Sequence, residues 1–222
     1  MNKELYTFLS ELQTNNQREW FKENKDRYDV LRKGFEKDIQ LIIDQVASFD
    51  PEIAGLQAKE CLFRIYRDIR FSPNKTPYKT HFSAYIARGG RKSERSGYYI
   101  HIEPGNSLVS GGIWQPETAI LKKIRQDIYE NIDEFNEILE ESVFKAIYPG
   151  LVGQKLKRMP AGFPTDFSYE YLKHKDFCID HQVEDSFFYA EDWLAQTTHL
   201  LRIQYPLHRF LNYSVDEYRG VI

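Results

Sequence analysis

Apolar residues change period along this chain, and the switch points divide it into helical ends around a stranded middle. Leu5, Phe8, Leu9 and Leu12 recur at helical spacing and predict a short amphipathic helix over residues 3 to 12. Asn16, with Glu19 three residues on, reads as the N-cap of a second helix whose stripe is Phe21, Tyr28, Leu31, Phe35, Ile39, Ile42 and Val46. That is about thirty residues, or roughly 45 Å. Gly34 inside the stripe costs on the order of 1 kcal/mol against Ala, so a bend is expected there, and Asp50-Pro51 ends the element.

From Cys61 the period becomes two. Phe63, Ile65, Ile69 and Phe71 fall on one parity, with Arg64, Tyr66, Asp68 and Arg70 on the other, as in a half-buried strand; Ile65 and Ile69, four apart, also allow a helix. Ser72 to Pro77 is a proline-bounded loop. Alternation resumes at Phe82, Ala84 and Ile86, then at Tyr98, Ile100 and Ile102, and returns from Leu108 to Trp114 after a turn at Glu103-Pro104-Gly105-Asn106. A helix opens at Pro116-Glu117 and runs through Leu121, Ile124, Ile128, Ile132, Phe135 and Leu139. Residues 151 to 163 read as an ordered loop, 168 to 174 as a short helix, Phe177 to Val183 as a strand, and Ala190 to Ile203 as a helix, with Pro206 opening a last short one. These elements spell an α+β fold: an antiparallel sheet of four or more strands packed by N-terminal and C-terminal helices, in one domain over residues 1 to 222.

Composition changes this picture in two places. The 222 residues are 41% hydrophobic and 28% charged, which supports a packed core, and the net charge of -3 argues against a general nucleic-acid coat, so affinity for polyanions has to come from a local patch. Cys61 and Cys178 are far apart and form no CxxC, so free thiols in a reducing cytoplasm are expected, and no apolar run approaches a membrane span. Oligomeric state is not encoded in any pattern we read.

The local patch is Arg64 to His81, RIYRDIRFSPNKTPYKTH, which sets five Lys/Arg, two tyrosines and a histidine around a single Asp68. Arg64, Arg67, Arg70, Lys75, Tyr78 and Lys79 are candidate anion-binding groups, since guanidinium forks and ammonium charges suit phosphate or carboxylate oxygens. Not all can converge: Arg67 lies on the apolar parity, where it needs either an internal carboxylate or an anionic ligand, while Asp68 reads as a structural partner of its arginine neighbours. His81, His101 and Glu103 are the candidate acid, base or catalytic set, because His101 and Glu103 share a strand face and His81 sits on the neighbouring strand. No cofactor is implied and no metal is assigned, His/Glu alternation on a hairpin being common at surfaces. The basic, glycine-rich segment Arg88 to Gly97 lacks P-loop or dinucleotide patterns and reads first as a mobile hairpin tip, second as a phosphate clamp.

RIYRDIRFSPNKTPYKTH, GYYIHIEP, GGIWQP, Leu156 to Phe163 and Leu172 to Phe177, with the NNQREWF opening, resemble the family called domain of unknown function 2461 over nearly the whole chain. The resemblance implies no reaction, since members are named as uncharacterised bacterial and fungal proteins. Three readings follow. One is a phosphate-directed enzyme or small-ligand protein whose pocket joins the signature to Lys155, Lys157, Arg158 and Lys175. Another is a structural or interaction protein whose arginines hold the sheet to the helices by buried ion pairs. The remaining one is a nucleic-acid module that stacks bases on Tyr66, Tyr78, Tyr85, Tyr98 and Tyr99.

Overall fold

The computed structural model describes all 222 residues. Three helices lead, α1 (Glu4–Thr14), α2 (Arg18–Glu23) and α3 (Lys25–Val46), followed by one short turn of helix, α4 (Ala58–Cys61). The sheet comprises β1 (Phe82–Ile86), β2 (Gly97–Ile102), β3 (Leu108–Ile113) and β4 (Phe177–Gln182), in the order β1-β2-β3-β4. All three pairings are antiparallel. Between β3 and β4 lie α5 (Thr118–Glu130), α6 (Ile132–Glu140) and α7 (Ser142–Ile147), and α8 (Trp193–Arg219) closes the chain. The α+β expectation holds, with helices at both ends of a four-stranded antiparallel sheet.

Strand alternation sorts the sheet into two faces. Phe82, Ala84, Ile86, Tyr98, Ile100, Ile102, Val109 and Ile179 are buried on one, where α3 sets Phe35 against Phe82 and α8 sets His208 against Tyr98. Gly111 lets α8 come this close, because a Cβ there would lie 2.1 Å from the Gln204 side chain. Two apolar clusters form around α8: Leu200 and Leu201 join the one that holds α1, α3 and the inner residues of β1 and β2, whereas Leu207, Phe210, Leu211 and Val215 join the one that holds α5, α6 and β4. The opposite face presents His101, Tyr99, Ser83, Tyr85, Ser110 and Asp180.

Several boundaries differ from the sequence reading, and asparagine explains two of them. The predicted thirty-residue helix is broken at Asn24 rather than bent at Gly34, and the helix predicted through Leu139 is broken at Asn131. In both, the asparagine amide donates to the carbonyl four residues back, at Trp20 (2.9 Å) and Asp127 (3.0 Å), in competition with the helical ladder. Pro206 lies inside α8 instead of opening a helix; the carbonyl it leaves without a helical donor belongs to Arg202, an exposed residue. Cys61 to Phe71 is not a regular strand. It ends α4, meets the outer edge of β1 at the Leu62 to Ala84 bridge, and then pairs with its own continuation at the Tyr66 to Tyr78 bridge. The Arg88 to Gly97 segment is pinned on both sides: Arg95 bridges Glu52 and Asp216, Arg88 reaches Glu52 at 3.5 Å, and Arg91 donates to the Lys59 and Glu60 carbonyls.

Candidate functional site

The signature is held as a hairpin against β1. The Phe63 N–H donates to the Ser83 carbonyl at 3.0 Å, the Lys79 N–H to Ile65 at 2.7 Å and the Arg67 N–H to Pro77 at 2.9 Å, so residues 68 to 76 form its loop. Asn16, predicted as a helix cap, instead clamps this hairpin from outside. Its amide donates to the Tyr78 carbonyl at 3.0 Å and its oxygen accepts from the Tyr78 N–H at 3.1 Å, while the Tyr78 ring stacks on Phe21 with centroids 4.0 Å apart. The site therefore sits on the helical N-terminus.

The predicted anion clamp divides into engaged and free groups. Arg67 has no carboxylate partner; it donates to the Thr76 carbonyl at 3.2 Å, the Thr76 hydroxyl and Ser72 at 3.4 Å, tying the loop together through neutral acceptors. Arg70 pairs with Asp68 at 2.7 Å on the exposed loop, and that contact holds the Asp68 carboxyl down to about 2. Lys75, exposed on the loop, donates to the Ile69 carbonyl at 3.0 Å, and Tyr78 is buried, so the first is engaged within the loop and the second does not face outward. Arg64 and Lys79 remain. Neither forms a salt bridge or a side-chain hydrogen bond; half-buried Lys79 lies 5.1 Å from the Phe63 ring centroid, and burial first, then the Arg64 charge, lower its pKa.

Lys79 borders a cluster on the polar side of β1 and β2, near enough for its charge to act on His81 and His101, and Arg64 acts on Lys79 rather than on the histidines. Continuing the ladder one step beyond Phe82 and Ile102 sets His81 across from Glu103, and His101 pairs with Ser83. The His81 and His101 rings lie 4.2 Å apart at 34°, and the donor atoms of His81, His101 and Glu103 all fall within 4.8 Å of one another. His101 Nε2 faces Glu103 Oε2 at 3.2 Å and its Nδ1 meets the Tyr99 hydroxyl at 2.9 Å; Glu103 also accepts from Thr80 at 2.5 Å and Asn106 at 3.0 Å. His81 has no hydrogen-bond partner within the chain.

Electrostatics follow from this packing. Burial, then the neighbouring His101, push His81 down to about 4, and burial also lowers His101 although Glu103 opposes the shift. Burial would raise Glu103, but hydrogen bonds from Thr80, Asn106 and His101 outweigh it and hold the carboxyl below its usual range. Near neutral pH the cluster thus holds neutral imidazoles beside a carboxylate, with the unpaired Lys79 ammonium at its border and the Arg64 guanidinium near Lys79. Chemically it can coordinate a cation, accept a proton at His81, or bind an anion through Lys79 and Arg64.

Other predicted groups lie elsewhere. Lys155 bridges to His174 and Val152 to Cys178, so the segment with Lys155, Lys157 and Arg158 borders β4, roughly 24 Å from the signature at five strand spacings; one pocket does not join them. Of the five tyrosines offered for base stacking, Tyr78 and Tyr98 are buried, and Tyr85 donates to the Arg95 and Gly112 carbonyls at 2.7 and 2.8 Å. A cleft of about 530 Å³ between the end of β4 and the start of α8 is lined by His181, Phe187 and His199 among others, but contains no Lys or Arg and shares no residue with the cluster. The supporting groups Thr80, Asn106 and Asn16 escaped the sequence reading; only Tyr99 carried a signal, being on the His101 and Glu103 parity.

A family model described as conserved hypothetical protein (DUF2461) matches residues 4–210, and the chain belongs to that family. No curated protein and no solved structure matches it.

Proposed function

We propose that this member of the DUF2461 family binds a small phosphate-bearing or similar anionic ligand at the outer edge of β1, through Arg64 and Lys79, with His81, His101 and Glu103 beside it as the acid-base groups of any reaction on that ligand. One observation carries the reading: Lys79 is half-buried without a carboxylate, carbonyl or hydroxyl partner. A desolvated cation is costly unless an anion completes it. The loop groups Arg67, Arg70, Asp68 and Lys75 serve in this reading to shape the hairpin rather than to touch the ligand.

The ligand reading is favoured over buried ion pairing because the signature arginines form no buried ion pair, and over a nucleic-acid surface because the tyrosines that would stack bases are mostly committed to the interior. A thermal-shift titration with inorganic phosphate, sugar phosphates and nucleotides at low and physiological salt tests it. A saturable shift that survives salt is expected, about 2.7 kcal/mol of stabilisation at a hundred times the dissociation constant. A response confined to oligonucleotides, steeply dependent on salt, would overturn it in favour of a polyanion surface.

A further inference from the structure

His81 is the odd member of its cluster. His101 and Glu103 each have partners that orient them, Tyr99 on the His101 Nδ1 and Thr80 and Asn106 on the two Glu103 oxygens, whereas the His81 ring is turned toward them with neither nitrogen bonded. Three donors of the types N, N and O thus converge from two adjacent strands. Groups that hold a ligating histidine by its far nitrogen and a ligating carboxylate by its other oxygen are what a metal site needs around its ligands.

We infer that His81, His101 and Glu103 form a binding site for a divalent first-row transition metal. Zinc bonds of 2.0 to 2.2 Å place tetrahedral ligand atoms about 3.3 Å apart. The His101 to Glu103 separation of 3.2 Å already matches, and the 4.8 Å limit on the other pairs closes by rotation of the His81 ring. On binding, the His101 proton moves to Nδ1, where the Tyr99 oxygen accepts it, and Nε2 takes the metal. Three protein ligands leave at least one coordination position open for water or an anion oxygen. Lys79 lies near both histidines, and its charge opposes the metal until an anion arrives. Nitrogen donors favour zinc, cobalt or nickel over magnesium, which prefers an all-oxygen shell.

The test is calorimetric titration of zinc chloride into the chelator-stripped full chain, with cobalt absorbance to report the ligand geometry. One equivalent per chain is expected, with excess magnesium failing to compete. His81→Ala and Glu103→Gln weaken binding by more than about 100-fold, and Tyr99→Phe by about 10-fold. His199→Ala, which removes an exposed imidazole on α8, leaves it unchanged. Glu103→Gln keeps hydrogen-bonding capacity at that position, so its melting curve guards against loss of fold. Absence of stoichiometric binding, or affinity unchanged in both His81→Ala and Glu103→Gln, overturns the inference. It does not rest on the anion reading, and in the metal-loaded protein His81, His101 and Glu103 are ligands rather than acid-base groups; phosphate titrated into the metal-free protein tests Arg64 and Lys79 separately.

Discussion

Two basic loops flank β1, and they use their charge differently. In Arg88 to Gly97, Arg95 is buried between Glu52 and Asp216, Arg88 shares Glu52, and Arg91 is spent on two carbonyls, so the loop is fastened to α8 and to the segment ahead of α4. In Arg64 to His81 the sole salt bridge is the exposed Asp68 to Arg70 pair, and Lys79 beside the histidine cluster and Arg64 near Lys79 have none. Both segments are basic, each with a single acidic residue of its own. What separates a structural cation from one available to a ligand is whether an acidic residue, often more than a hundred positions away, arrives beside it.

Arg95→Ala should strike hardest, since it removes the buried cation shared by half-buried Asp216 and the more exposed Glu52; a loss of about 2 to 3 kcal/mol in urea unfolding is expected. A loss below about 1 kcal/mol would mean that the pinned loop is no more structural than the signature. His208 tests the same interior by pH. Buried on α8, with Ser96 at 2.6 Å on one nitrogen and Gln204 at 3.2 Å on the other, it is pushed down by burial to about 3. Its unfolded form takes up a proton near the ordinary histidine value and its folded form does not. Stability is therefore complete above about pH 6.5 and falls as pH drops toward 3, by up to about 1.4 kcal/mol per pH unit, and His208→Gln should flatten that slope.

On the signature side, Asn16→Ala removes both bonds to Tyr78 and should cost about 1 to 2 kcal/mol, with faster amide exchange at Tyr78 and Lys79. The smallest stability effect is expected from Lys79→Ala, within about 0.5 kcal/mol of wild type or slightly stabilising, because no partner is left unpaired. A large loss on Lys79→Ala would expose a structural role and erase the contrast between the loops.

The sheet was legible because β1 and β2 alternate and a recognisable turn returns the chain as β3, and that same alternation set His101 and Glu103 on one face. The signature's own backbone was not legible: Arg64 to Phe71 alternates like a strand, yet its partner is its own 77 to 79 segment, and proline and the Asn16 clamp leave only isolated bridges. Helix ends at Asn24 and Asn131 were hidden because the amide bonds that break the ladder are local and leave the apolar stripe unbroken. The division of the cations into fastened and free could not be read at all, since it depends on Glu52 and Asp216 reaching one loop and no carboxylate reaching Lys79 in the other.

The most direct measurement is calorimetric titration of phosphate, at physiological salt, into wild type, Arg64→Ala/Lys79→Ala and Arg88→Ala/Lys92→Ala. Saturable binding by wild type, weakened at least about 10-fold in the first double variant and unchanged in the second, is the predicted result, one decade being about 1.4 kcal/mol. Equal binding by all three, or by none, would contradict the claim that the unpaired cations of the signature make an anion site.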